Sequence, residues 1–193
     1  MYKKCVTEAS AARQRQLEQG LLAAMSKRRY EEITVSDLCQ ELEIPRKSFY
    51  RYFSGKEGAL HALIDHTIQG FEMEALVLRA ESELQFRDGI AHFFRFWQRQ
   101  KPLMDALYRS GLSGILIERQ IIYAVVDSSD VVLYLHPEVK SWKAQASMFA
   151  ACGLMSLVVQ WHHEGYAMSV DEIARMATHL LTGPIFSGGD RNK

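Results

Sequence analysis

The stretch Thr34-Val35-Ser36-Asp37-Leu38-Cys39-Gln40-Glu41-Leu42-Glu43-Ile44-Pro45-Arg46-Lys47-Ser48-Phe49-Tyr50-Arg51-Tyr52-Phe53 sets two short helical patterns around a tight turn. Thr34 followed three residues later by Asp37 reads as a capping box, which opens a helix running to about Leu42. Glu43-Ile44-Pro45 is the turn. The next helix is predicted over Arg46 to Phe53, with Pro45 at its first position and Ile44 held extended before it. At about 100° per residue, Phe49 and Phe53 project together and mark a buried side. Lys47, Ser48 and Arg51 then point away from them, with Tyr50 and Tyr52 flanking. Two cations, a hydroxyl and two phenols on one outward face suit phosphate oxygens and base edges in a major groove about 12 Å wide. Two short helices joined this way after a longer one form a helix-turn-helix.

The charge distribution points the same way. The chain has 193 residues and zero formal charge, yet residues 1–56 hold 11 Lys and Arg against 7 Asp and Glu, a net of +4. The remainder carries the opposite excess, and a basic head on an acidic body suggests that the head meets an anion.

Working outward, the whole chain reads as all-α. Leu17, Leu21 and Met25 recur at helical spacing in a first helix from about Thr7 to Arg28. Ser54-Gly55-Lys56-Glu57 reads as a second capping box, ahead of a longer helix to about Arg79 lined by Leu60, Leu63, Ile64, Ile68 and Phe71. Phe86, Ile90, Phe93, Phe94 and Trp97 form another amphipathic pattern. Pro102 sits where a new helix can begin, and Gly111 and Gly114 bracket a break before the apolar run Ile115–Val126. Asp127 to Asp130 reads as a loop or cap. Val131 to Leu135 is read as loop or frayed helix, since a lone strand there would have no partner. A long helix from about Pro137 to Glu164 should end at Gly165, and Ser169 should cap a last helix.

Composition excludes several classes. Three widely spaced cysteines, with no CxxC, leave no disulfide framework or structural zinc site. No apolar run follows the N-terminal lysines as in a secretory signal. The apolar run Met148–Val159 has the length of a buried core helix, shorter than a membrane span. A soluble protein of the reducing cytoplasm, without cofactor, is expected. His162-His163 are neighbours about 100° apart on a helix, poorly placed to grip one metal ion. No nucleophile elbow, P-loop or dinucleotide fingerprint is present, so the chain reads as no enzyme.

The residues Ile33–Leu38, Ile44–Phe53 and Lys56-Glu57 resemble the N-terminal signature of the tetracycline-repressor (TetR) family. That signature is a threonine-capped second helix, a recognition helix ending in Tyr-x-Tyr-Phe and a lysine opening the fourth helix. The resemblance covers roughly residues 8–64. It implies a three-helix DNA-binding domain over residues 1–55, a larger helical ligand-binding and dimerisation domain over 56–183, and a frayed tail over 184–193.

By resemblance, Thr34, Tyr50, Tyr52 and Lys56 fall where members touch phosphate, although capping alone would account for Thr34. Arg46, Lys47, Ser48, Ser36 and Arg51 fall where members touch bases. The family's ligand cavity maps onto a half rich in aromatics and methionine, where Phe93, Trp97, Tyr108, Tyr123, Met148 and Cys152 are the candidates for binding an apolar or aromatic effector. The last two helices resemble the family's dimerisation pair, with Ala150, Ala151, Gly153 and Ser156 permitting close approach.

The implied function is a homodimer on a near-palindromic operator in double-stranded DNA, with repression the favoured sign, released when a small molecule fills the second domain and shifts the fourth helix. The chain departs from the family pattern twice. Glu43 stands where a turn glycine is usual, and Pro45 replaces a Ser or Thr cap, which leaves the first N–H groups of the recognition helix free for a phosphate. Glu43 keeps open a second reading, a helical protein-binding adaptor that has lost DNA binding.

Overall fold

The structure, a computed structural model, describes residues 1–81, 86–126 and 141–183. Nine α-helices occur among them: α1 (Glu8–Lys27), α2 (Val35–Glu41), α3 (Arg46–Tyr50), α4 (Lys56–Glu81), α5 (Phe86–Arg99), α6 (Lys101–Arg109), α7 (Gly114–Val126), α8 (Lys143–His163) and α9 (Val170–Thr182). A 3-10 turn, Tyr30–Glu32, links α1 to α2. The architecture is all-α. The expected loop at Asp127–Asp130, the segment Val131–Leu135, the start of the long helix at Pro137 and the tail from residue 184 lie outside the described residues.

The helices divide into two compact units. The first comprises Met1–Met73 and Gln100–Arg119, and the second Glu74–Arg99 and Gln120–Lys193. The expected boundary at residue 55 therefore differs from the division by packing, which falls inside α4 and α7. In the first unit α6 joins the three-helix head. Arg109 Nη1 donates to the Met25 and Ser26 carbonyls at 2.9 and 2.6 Å, and the Tyr30 N–H donates to Ser110 Oγ at 3.0 Å. Leu17, Leu21, Met25, Leu38, Phe49, Phe53, Leu60 and Ile64 fill its core. Such side chains each contribute roughly 1.5–3 kcal/mol on burial.

In the second unit α9 packs along α5, and α8 joins both. Phe94 meets Trp161 edge to face at 5.7 Å, and the Trp161 indole N–H donates to the Met168 carbonyl at 2.9 Å. Ser169 and Glu172 close a capping box at the start of α9.

Three helix ends share one device. At the C-termini of α6 and α8, Gly111 (φ 68°) and Gly165 (φ 65°) turn left-handed. The following N–H groups, of Leu112 and Tyr166, reach back to the Leu107 and Trp161 carbonyls. This is a Schellman end, which satisfies carbonyls the helix leaves open. The C-terminus of α2 ends the same way, with Ile44 N–H donating to the Cys39 carbonyl at 2.9 Å. There the left-handed residue is Glu43, at φ 51°.

Two expectations are corrected by the local geometry. Ser54 does not cap α4: its hydroxyl donates to the Met1 carbonyl at 2.8 Å, and the helix starts at Lys56 directly after Gly55. The run Met148–Val159 is not a core helix in the single chain. Only Met155 and Val158 within it are buried, and Phe149 is 73% exposed. The whole of α8, 21 residues, is long and apolar enough to cross a membrane by length and composition alone, a test that core helices of soluble proteins also pass.

Candidate nucleic-acid interface

The interface is built from the turn between α2 and α3. Thr34 is the N-cap of α2, with φ −106° and ψ 159°. Its Oγ1 accepts from the Asp37 N–H at 3.1 Å, and Asp37 Oδ2 accepts from the Thr34 N–H at 2.9 Å. The box satisfies donors that the first helical turn leaves open. Hydrogen bonding to the carboxyl from Thr34, from its backbone N–H first and its side chain second, holds Asp37 below the usual carboxylate range, with Arg28 adding to the effect. Arg28 also grips Glu41, so the cation is shared along the edge of α2. Thr34 and Ser36 are both exposed.

The N-cap of α3 is Pro45 itself, with φ −64° and ψ 140°, one position earlier than its predicted place in the first turn. The ring fixes φ at the value an extended cap needs, and the Pro45 carbonyl accepts the first helical bond, from Ser48 N–H at 2.8 Å. No side chain caps the helix. Regular α-helix ends at Tyr50, short of the predicted Phe53. The N–H groups of Arg51 and Phe53 still reach the Lys47 and Phe49 carbonyls, so the helical course continues for part of a turn.

The predicted sidedness holds. Phe49 is 0% exposed and Phe53 1%, their ring centroids 5.2 Å apart. Arg46, Lys47, Tyr50 and Arg51 are exposed, while Ser48 and Tyr52 are half-buried. The Arg46 guanidinium lies over the Tyr50 ring, 5.9 Å from its centroid, a pairing that orders both side chains. Among the described residues neither Lys47 nor Arg51 has an ion-pair partner. The exposed face of α3 thus carries cations that are left uncompensated among the described residues.

Lys56 is placed differently. Its Nζ donates to the carbonyls of Tyr30 at 2.6 Å, Ile33 at 2.7 Å and Glu31 at 3.3 Å, and stands 4.3 Å from the Tyr30 ring centroid. An ammonium has three donors, and here all three are spent on the turn that delivers α2. Tyr30 itself is pushed up to about 12 by burial, then by the carboxylates of Glu57 and Glu31. The lysine expected at a phosphate is engaged inside the protein as a tie between α4 and the α1–α2 connection.

The effector candidates fall in different surroundings. Phe93 and Trp97 are buried on α5, 6.4 Å apart, and the Trp97 indole N–H is buried with no acceptor among the described residues. Tyr123 on α7 and Met148 and Cys152 on α8 are half-buried, and burial pushes the Cys152 thiol up. Tyr108 departs from the expectation: it is 54% exposed on α6, in the first unit. Ser147 on α8, buried with its hydroxyl unpartnered among the described residues, carries no sequence signal that would have singled it out. Of the adjacent histidines, His162 is buried against Tyr166 and His163 is exposed.

Residues 20–63 match the family described as "Bacterial regulatory proteins, tetR family". No curated protein matches the chain. Among solved structures, one titled as the fatty acid degradation regulator FadR from Bacillus halodurans superposes with a TM-score of 0.61 at 15% identity, covering 99% of this chain and 100% of that one. The dihydroxyacetone kinase operon activator DhaS superposes with a TM-score of 0.52 at 16% identity, covering 90% of this chain and 96% of its own. At these identities the likeness speaks for the fold.

Proposed function

We propose, from the premise that residues 20–63 form a DNA-binding domain of the tetR family, that this transcription regulator is a homodimeric repressor freed from its operator by a small apolar effector. The observation that carries the reading is the sidedness of α3: two buried phenylalanines behind exposed, uncompensated Lys47 and Arg51. Phosphate contacts would come from Thr34, Tyr50, Tyr52 and Lys47, and base contacts from Arg46, Ser48, Ser36 and Arg51. Lys56 would act by positioning α2.

Dimerisation is supported by α8. Its exposed residues Gln145, Phe149, Gly153, Ser156, Gln160 and His163 recur at spacings of three and four along one face. On α9, Met176 and Leu180 are exposed one turn apart. A second copy would cover both and would present two recognition helices about 34–36 Å apart, one turn of DNA.

The effector would sit against Phe93, Trp97, Tyr123, Met148 and Cys152. The Trp97 N–H and Ser147 hydroxyl would be the polar handles in an otherwise apolar setting. Helices α4 and α7 run from one compact unit into the other and would carry the response. The effector relieves repression only if it binds the DNA-incompetent form more tightly.

Selection from a pool of random duplexes tests the reading. A consensus with two inverted half-sites supports it; enrichment of no sequence contradicts it and favours a protein-binding adaptor.

A further inference from the structure

The segment Tyr2–Cys5 is fastened to the head from several sides. Lys3 N–H donates to the Tyr52 carbonyl at 3.0 Å, and Gln14 Nε2 donates to the Lys3 carbonyl at 3.1 Å. Tyr2 and Phe53 form an antiparallel bridge. The Tyr2 hydroxyl donates to Asp65 Oδ2 at 2.7 Å, and its ring stands edge-on to His66 at 5.7 Å. Cys5 Sγ donates to Gln14 Oε1 at 3.0 Å. Gln14 and Asp65 are buried, at 2% and 1% exposure, so these anchors have no competing water. The segment therefore lies directly beside the C-terminal end of the recognition helix, with its backbone already ordered.

Tyr2 is the inward anchor. Lys3 and Lys4 are both exposed, and neither has an acidic partner among the described residues. The Lys3 N–H is bonded to the carbonyl of Tyr52, the neighbour of Arg51, which sets the backbone of the arm beside the end of α3 that carries an exposed cation.

We propose that Lys3 and Lys4 form a second phosphate-binding element, an arm that grips the backbone of the same duplex that α3 reads. This rests on the reading of α3 as the duplex-facing helix. An arm held in place before binding forfeits little conformational entropy when the complex forms, unlike a disordered basic tail. Its contacts set register and affinity and add no base preference.

The experiment uses the full chain and the duplex it enriches from a random pool, with the double variant Lys3→Ala/Lys4→Ala beside the wild type. Both side chains are exposed and make no hydrogen bond or ion pair among the described residues, so the variant should keep the wild-type melting temperature. The expected result is affinity about tenfold or more weaker at physiological salt, an unchanged consensus, and a salt slope shallower by about 0.9 for each lysine that meets a phosphate. Wild-type affinity and slope in the variant overturn the arm while leaving the α3 reading intact. If the wild type enriches no duplex, both fall together.

Discussion

Arg119 on α7 holds Asp65 on α4 through one guanidinium edge, Nε donating to Oδ1 at 2.7 Å and Nη2 to Oδ2 at 2.5 Å. Oδ2 also accepts the Tyr2 hydroxyl. Asp65 is 1% exposed, so these partners stand in for the water its carboxylate lacks. Removing one side of a buried pair leaves the other uncompensated, which costs about 3–5 kcal/mol. Arg119→Ala should lower stability by that order in urea denaturation, and Arg119→Met/Asp65→Leu together should recover most of it, because the pair is then replaced by apolar groups.

Glu43 holds a left-handed conformation that favours glycine, at φ 51°. The strain for a residue with a Cβ is roughly 1–2 kcal/mol, offset in part by the flexibility glycine gains when unfolded. Glu43→Gly should stabilise the protein by about 0.5–1 kcal/mol, whereas Glu43→Ala, which keeps the Cβ, should not. Paired denaturation curves of the two variants distinguish relief of strain from loss of charge.

That Glu43 stands where a turn glycine is usual is legible in the sequence, and the backbone there is left-handed, because helix-end geometry follows from local hydrogen bonding. The sidedness of α3 was legible for the same reason: Phe49 and Phe53 lie one turn apart. The engagement of Lys56 was not. Its acceptors are the carbonyls of Tyr30, Glu31 and Ile33, more than twenty residues earlier, and a carbonyl leaves no mark in residue type. The anchoring of Tyr2–Cys5 leaves no mark in residue type either, since Tyr2 meets Asp65 and Gln14 meets Lys3 only through tertiary packing. In the second unit, hydropathy marked Met148–Val159 as core because an apolar helix carries the same composition whether its partner lies in its own chain or in another.

Phe149 lies at 73% exposure on the outward stripe of α8. Phe149→Arg would place a charge at the centre of the proposed dimer contact, where burying an unpaired ion is strongly unfavourable. Sedimentation should show the wild type as a dimer and the variant as a monomer with its helical content kept.

Burial holds the His92 imidazole below its usual value, with Arg99 and Arg95 acting in the same direction and Glu74 opposing. A depressed histidine is neutral in the fold, so its contribution is complete above the ordinary value of about 6.5 and is lost as pH falls toward the folded value. Stability measured between neutral pH and pH 5 should therefore decline, and His92→Gln should flatten the part of that decline due to this group.

Titrating the selected duplex with wild type, Lys47→Ala/Arg51→Ala and Lys56→Gln over a range of salt concentrations sets the outward face of α3 against everything else. The α3 variant should keep its melting temperature, bind much more weakly and lose about 0.9 from the salt slope for each phosphate contact removed. Lys56→Gln should lose stability of about 1–3 kcal/mol and keep a wild-type slope, since its donors are spent on carbonyls. An α3 variant that binds and responds to salt like the wild type would contradict the assignment of that face to DNA.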